Sequence, residues 1–191
     1  SGIRYSDLQD SPVINRGGDK VKVPFFNLKE DGDEAIVRFP YKTADDFDIL
    51  TVHEMEINGK RRKIDCLRTA KDPIDKCPLC AANVPLKERF YIKLLEYVRQ
   101  QDGSYKAEPR IWDRPTSYCK DLAEYINEYG PLDNVVFKVK RHGARGSMET
   151  TYSILYANQT IYKPEIYAPD FSGFKGYDII GTAVWSDDYE G

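Results

Sequence analysis

The sequence predicts a mainly β protein with one prominent helix. Three observations lead there. Alternating apolar and polar segments recur from residue 35 to residue 157, separated by turn dipeptides such as Asn58-Gly59 and Asp102-Gly103. Only Ser117–Tyr129 repeats its apolar residues at helical spacing. The chain has 191 residues, 41% hydrophobic and 31% charged, which suits one folded domain with a modest extension rather than disorder.

The elements follow in order. Residues 1–34 read as an irregular N-terminal arm, punctuated by Pro12, Gly17-Gly18, Pro24 and the acidic run Glu30–Glu34. Val23, Phe25, Phe26 and Leu28 are its candidate anchors to the body. Ala35–Tyr41 alternates like a strand, with Ile36, Arg38 and Pro40 on one side and Val37, Phe39 and Tyr41 on the other. Phe47–Ile57 and Lys60–Arg68 are two strands joined by Asn58-Gly59, whose residues tolerate positive φ and therefore make a tight hairpin. Residues 69–86 read as irregular, with Pro73, Pro78 and Pro85. Phe90–Gln100 and Tyr105–Asp113 form a second hairpin around Asp102-Gly103. Thr116 or Ser117 caps the helix, Tyr118, Leu122, Tyr125, Ile126 and Tyr129 share its apolar stripe, and Gly130-Pro131 stops it. Val135–Arg141 and Thr150–Ala157 are a last strand pair. The segment from 158 is rich in Tyr, Pro and Asp and is expected to lie over the surface.

Short strands, long hairpins and one helix point to a small antiparallel β-barrel, with the five-stranded oligonucleotide-binding barrel (OB-fold) as the natural candidate. The expected division is an arm over 1–34, a barrel core over 35–158 with a metal subdomain at about 66–86, and a C-terminal surface segment over 159–191. No run of apolar residues is long enough for a membrane helix, and no secretory signal is visible. The opening Ser1-Gly2, without Met, reads as the scar of a removed tag, so the natural ends are expected beyond it.

One constellation carries chemistry: His53-x12-Cys66-x10-Cys77-Pro-Leu-Cys80. A Cys-x-x-Cys turn puts two sulfurs on one side of a tight loop, and Zn²⁺ favours thiolate and imidazole donors. Counting back from the Asn58-Gly59 turn, residue 53 opposes residue 64, which brings Cys66 near His53 across the hairpin. Four protein ligands make a closed site, so one structural zinc is expected. A thioredoxin-like redox pair needs a strand–helix context absent here. The nucleobase-deaminase signature fails at Met55, two residues after His53, and at Lys76, just before Cys77. No nucleophile elbow, phosphate loop or metalloprotease motif is present, so the chain reads as a non-enzyme. Cys119 reads as a plain thiol and His142 as a turn histidine. Cysteines that hold metal rather than form disulfides suit a reducing cytoplasm.

A net charge of −3 at first argues against nucleic acid. The charge is unevenly spread, however. Residues 1–35 carry 5 basic and 7 acidic side chains, 36–145 carry 21 and 17, and 146–191 carry 2 and 7. The middle is positive by 4 between acidic flanks, and local field decides where a phosphate chain sits. Basic and aromatic residues interleave there. Arg38, Tyr41 and Lys42 close the first strand, and Lys60, Arg61, Arg62 and Lys63 line the hairpin. Arg89, Tyr91, Lys93, Tyr97 and Arg99 alternate along the next strand, with 91 to 99 on one open face and Phe90, Ile92, Leu94 and Val98 towards the core. Tyr105, Lys106, Arg110, Trp112 and Arg114 follow on its partner, and Lys138, Lys140 and Arg141 form a later patch. A positive groove with exposed aromatic faces binds single strands of any sequence, because every base has a π-face. Bland readings stand beside these: a solvated hairpin tip for Lys60–Lys63, and core positions for Trp112 and the helix tyrosines.

A single His, then Cys, then Cys-x-x-Cys, inserted after the first hairpin of a β-barrel, resembles the helix-destabilising single-stranded DNA-binding proteins of T-even phages. The spacer before Cys77 is one residue longer than in that family. The likeness covers roughly residues 20–185, including the Tyr-bearing helix after Trp112. It implies an OB-fold with a zinc subdomain and an electropositive cleft for single-stranded DNA. It also implies work in DNA replication, recombination and repair, with protein partners recruited through an acidic C-terminal region. Residues 1–20 carry only Arg4, Arg16 and Lys20 where that family has a basic N-terminal stretch, and the sequence ends at Asp187-Asp188-Tyr189-Glu190-Gly191, short of a long acidic run, so either the ends were trimmed or this relative differs. The readings left open are an RNA-binding regulator on the same fold and a zinc-stabilised protein-interaction module.

Overall fold

In the computed structural model of the chain, residues 13–16, 19–22, 24–68 and 71–185 are described, the first two segments by their backbone. Arg4, Val23 and the acidic end 187–191 lie outside the described residues. Nine strands are present among them: β1 (Val13–Arg16), β2 (Asp19–Lys22), β3 (Glu34–Arg38), β4 (Ile49–Ile57), β5 (Lys60–Asp65), β6 (Leu86–Arg99), β7 (Tyr105–Pro115), β8 (Phe137–His142) and β9 (Thr151–Tyr156). The protein is mainly β, as the alternation predicts. β1 and β2 pair with each other. The other seven form one sheet in the order β5-β4-β6-β3-β8-β9, with β7 on β6. Its end strands β5 and β9 are not paired to each other, so the sheet is open.

The described residues pack as two units, one of 13–16, 19–22, 49–68, 71–91 and 176–185, the other of 24–48 and 92–175. The 14-residue β6 contributes to both. In the first unit, Asn58 and Gly59 take φ of 52° and 77°, the left-handed values a two-residue hairpin needs. This fixes the β4–β5 register with His53 opposite Ile64, as counted from the turn. The outer edge of β5 is covered by the tail. The Asp65 N–H donates to the Trp185 carbonyl (2.9 Å), and the Trp185 N–H donates to the Lys63 carbonyl (3.0 Å). The Trp185 side chain is buried with Ile64 against Met55, Ile57 and Leu79.

In the second unit, the helix spans Ser117–Tyr129 and ends at Gly130, whose φ of 79° suits glycine. Leu122 on its apolar stripe is fully buried, a burial worth about 1.5–3 kcal/mol. β8 pairs antiparallel with both β3 and β9 and buries Phe137 and Val139. Among the arm's candidate anchors, Phe26 and Leu28 are buried and Phe25 is exposed.

Three expectations are corrected. The arm is not irregular throughout, because Val13–Arg16 and Asp19–Lys22 pair as antiparallel strands and so satisfy their backbone groups with each other. The segment after 158 does not simply lie over the surface, because Tyr167, Val184 and Trp185 are buried. Large aromatic faces gain more from burial than a solvated tail offers. β6 also has no solvent face through its middle. Tyr91 and Leu95 are as buried as Phe90, Ile92 and Leu94, so both sides of the strand pack into core.

Candidate metal centre and candidate nucleic-acid face

The donor cluster is built by two local structures of the first unit. In an antiparallel pair, opposed residues share a face. With His53 opposite Ile64, and the Cys66 N–H donating to the Thr51 carbonyl (3.1 Å), His53 and Cys66 are diagonal neighbours on one face. The second structure is a four-residue helical turn, Pro78–Ala81, with Cys77 before it and Pro78 at its first position, where a missing N–H costs nothing. That turn points Cys77 and Cys80 the same way.

The four donor atoms lie within 4.8 Å of one another. Cys66 Sγ and Cys80 Sγ are 3.6 Å apart, and His53 Nε2 lies 3.3 Å from Cys77 Sγ and 3.4 Å from Cys80 Sγ. Tetrahedral bonds of zinc length would set sulfurs about 3.8 Å apart and nitrogen about 3.5 Å from sulfur, so the spacing fits one ion of that size. His53, Cys77 and Cys80 are buried and Cys66 is half-buried. The supporting groups are also in place. His53 Nδ1 is 3.1 Å from the Val84 carbonyl, which fixes the tautomer that leaves Nε2 free as a ligand. Arg68 donates from Nε to Cys80 Sγ at 3.2 Å and from a terminal nitrogen to the Asp72 carbonyl at 3.3 Å, a contact that favours a thiolate. Burial pushes the Cys66 thiol up to about 11, with the Cys80 and Cys77 thiols adding to the rise. A dication reverses that balance and holds the sulfurs as thiolates. The chain therefore carries a buried His/Cys3 group that can hold one metal ion. Sequence reasoning brought together all four donors but missed Arg68 and Val84. Arg68, two residues beyond Cys66, was the one legible cue.

The predicted nucleic-acid residues divide sharply. Arg38 is buried and donates to the carbonyls of Tyr167 (2.7 Å), Asp133 (2.8 Å) and Pro164 (3.0 Å). Tyr41 is buried, with its hydroxyl donating to Asp48 (2.8 Å) and accepting from the Lys93 N–H (2.9 Å), and burial holds its pKa well above the ordinary value. Trp112 is buried, edge-on to Phe26, Tyr118 and Tyr152. Tyr91 is 1% exposed. These four are corrected from contact positions to core: Arg38, Tyr41 and Trp112 meet polar or ring partners, and Tyr91 is buried.

The cations are mostly occupied. Lys93 pairs with Asp48 (3.5 Å), Arg110 with Glu96 (3.1 Å), and Lys106 with Glu108 (3.3 Å). Arg61 (3.4 Å) and Lys87 (2.8 Å) share Glu54. Arg62 lies over the Trp185 ring at 4.9 Å. Lys60 is exposed at the hairpin, and Lys63 and Arg89 are half-buried. Lys42 and Arg99 are exposed and make no ion pair among the described residues.

The second unit nevertheless brings some of the predicted residues together. Tyr97, Arg99, Tyr105 and Lys138 line an open cleft of about 370 Å³ with Glu34, Glu96 and Tyr162. Tyr97 and Tyr105 contact Tyr167 at ring separations of 5.2 and 4.9 Å. Lys138 Nζ sits 4.8 Å from the Tyr162 ring centre. Hydrogen bonding to Tyr162, with the nearby Glu34 charge, holds Lys138 above its ordinary pKa. Tyr97 is itself buried, its hydroxyl donating to the Ala168 carbonyl. Sequence reasoning missed Tyr162 and Tyr167, because nothing in the tail's composition says which sheet face it crosses.

The chain matches no known protein-family model and no curated protein. Among the described residues no helix is long and apolar enough to cross a membrane.

Proposed function

We propose that the protein binds single-stranded DNA without sequence preference and protects it during replication, recombination and repair, with one structural zinc in the His53/Cys66/Cys77/Cys80 group and no catalytic role. The observation that carries this reading is the cleft in which tyrosines and cations meet, with Tyr105 and Tyr162 beside Lys138 and Arg99. That pairing of ring faces and positive charge is what sequence-tolerant single-strand binding requires. The finer fold reading, an OB-fold barrel, is supported by β6, which pairs with β4 along residues 86–90 and with β3 at 95–96. A strand that changes partner along its length is how sheets turn corners. Zinc is supported by the donor set and spacing, and its role is to hold residues 66–86 folded. The acidic region after 146 suits recruitment of replication and recombination partners, and reduced cysteines suit a cytoplasmic setting.

The experiment is intrinsic Tyr/Trp fluorescence during titration with oligo-dT, duplex DNA and oligo-U across a salt series. Quenching by oligo-dT that weakens steeply with salt, with little response to duplex, is the expected result. A preference for oligo-U moves the reading to an RNA-binding regulator. A second reading, a zinc-stabilised protein-interaction module, is favoured by the carboxylates that already occupy Lys93, Arg110 and Arg61. Absence of quenching by any nucleic acid selects it.

A further inference from the structure

The cleft of the second unit carries its own anion. Glu34 opens β3 directly opposite Lys140 on β8. One of its carboxylate oxygens lies 3.5 Å from Lys138 Nζ and the other 3.9 Å from Lys140 Nζ. The same Lys138 ammonium faces the Tyr162 ring. A carboxylate spanning two ammonium groups has the charge and bite of one phosphodiester, whose two free oxygens accept the same donors. The Glu34 side chain is 43% exposed and that of Lys140 39%, so these pairs are held weakly and exchange cheaply for another anion.

Resting on the single-strand reading above, we propose that Glu34 occupies the phosphate position of this cleft and that a nucleotide of a single strand enters by displacing it. The phosphate then sits on Lys138 and Lys140, and the base lies against Tyr162. Glu34 thereby sets an affinity threshold. A polyanion that offers several phosphates at once displaces it, whereas a lone carboxylate or a neutral aromatic does not. Tyr162 is the contact residue this adds, and Glu34 acts as a competitor whose removal strengthens binding.

The test is Glu34→Gln in the full chain, titrated with oligo-dT beside the wild type at several salt concentrations, with melting curves to verify folding. Glu34→Gln is expected to bind roughly 3–10-fold more tightly at low salt, an advantage that narrows as salt screens the lysines. Glu149→Gln, the same charge change on the loop after β8, is expected to shift affinity by less than about twofold. In a Lys138→Gln/Lys140→Gln background, Glu34→Gln is expected to add nothing, since the partners it competes for are gone. If the wild type binds and Glu34→Gln does not tighten it, this proposal fails while the single-strand reading stands. Equal tightening by Glu149→Gln, or tightening that survives in the double-lysine background, means a general field effect and also overturns it. If neither wild type nor variant binds any oligonucleotide, both readings fall.

Discussion

The two units handle polar groups in opposite ways. In the first, His53, Cys66, Cys77 and Cys80 converge on one point, with the Arg68 guanidinium against Cys80 and the Val84 carbonyl behind His53. Three thiols and an imidazole gathered so closely and so deeply suit a cation, which would hold the sulfurs as thiolates. In the second, the charges compensate one another: Glu34 spans Lys138 and Lys140, Glu96 holds Arg110, and Asp48 holds Lys93. That face pairs its own charges, so on the proposed reading a ligand competes with them. One site gathers donors that suit a cation, and the other pairs its charges internally. This is why four residues suffice to read the first from sequence and twenty candidates do not suffice for the second.

The largest expected effect breaks the first unit. Chelation, or Cys80→Ser, is expected to remove a linked folding energy on the order of 10 kcal/mol and to open residues 66–86 to protease. The tyrosine cluster of the second unit should keep its aromatic circular dichroism. An unchanged cleavage pattern after chelation would show that the cluster folds without metal.

Arg38→Met attacks the self-compensated unit at its centre. Three backbone carbonyls lose a charged donor, and a loss of about 3 kcal/mol or more is expected as a lower urea midpoint. A midpoint equal to wild type would return Arg38 to the surface, where its sequence position first placed it.

Tyr91 and Tyr162 separate stability from binding. Tyr91→Ala is expected to destabilise by about 3 kcal/mol while the folded protein keeps its affinity for oligo-dT. Tyr162→Ala is expected to cost about 1–3 kcal/mol of that affinity with a smaller change in melting temperature. The reverse pattern would move the contact face from the cleft to the middle of β6.

The smallest effect concerns the hairpin. Hydrogen bonding from Lys87, then Arg61, holds the Glu54 carboxyl below its ordinary value of 4.5. Its contribution is therefore complete above that value and is lost as pH falls through the depressed one. Glu54→Gln should cost about 0.5–1 kcal/mol at neutral pH, and variant and wild type should converge in acid. A difference that persists at low pH would mean that shape rather than charge is at work.

Much of this molecule was legible where the physics is local. Asn58-Gly59 fixed a register, and the register put His53 and Cys66 on one face, because strand side chains alternate with a period of two. The Cys-x-x-Cys spacing placed two sulfurs on one side of a tight loop, though the helical turn Pro78–Ala81 that does so was read as irregular. The helix ran over Ser117–Tyr129 as its apolar stripe and Gly130 predicted. The alternation along β6 misled at the same level. It marks two faces, but not whether the second face meets water or another layer, and Tyr91 met core.

By itself, then, the sequence determined the strands from β3 onward, the helix and the four converging donors, since each depends on residues a few positions apart or joined by one tight turn. Only the tertiary structure decided which charges were free. Arg38 reaches carbonyls more than ninety positions away, Glu34 meets lysines across β8, and Trp185 returns to cover β5. Whether a cation faces a phosphate or an internal carboxylate depends on which distant segments pack beside it, and Coulomb and burial terms are set by that distance in space rather than along the chain.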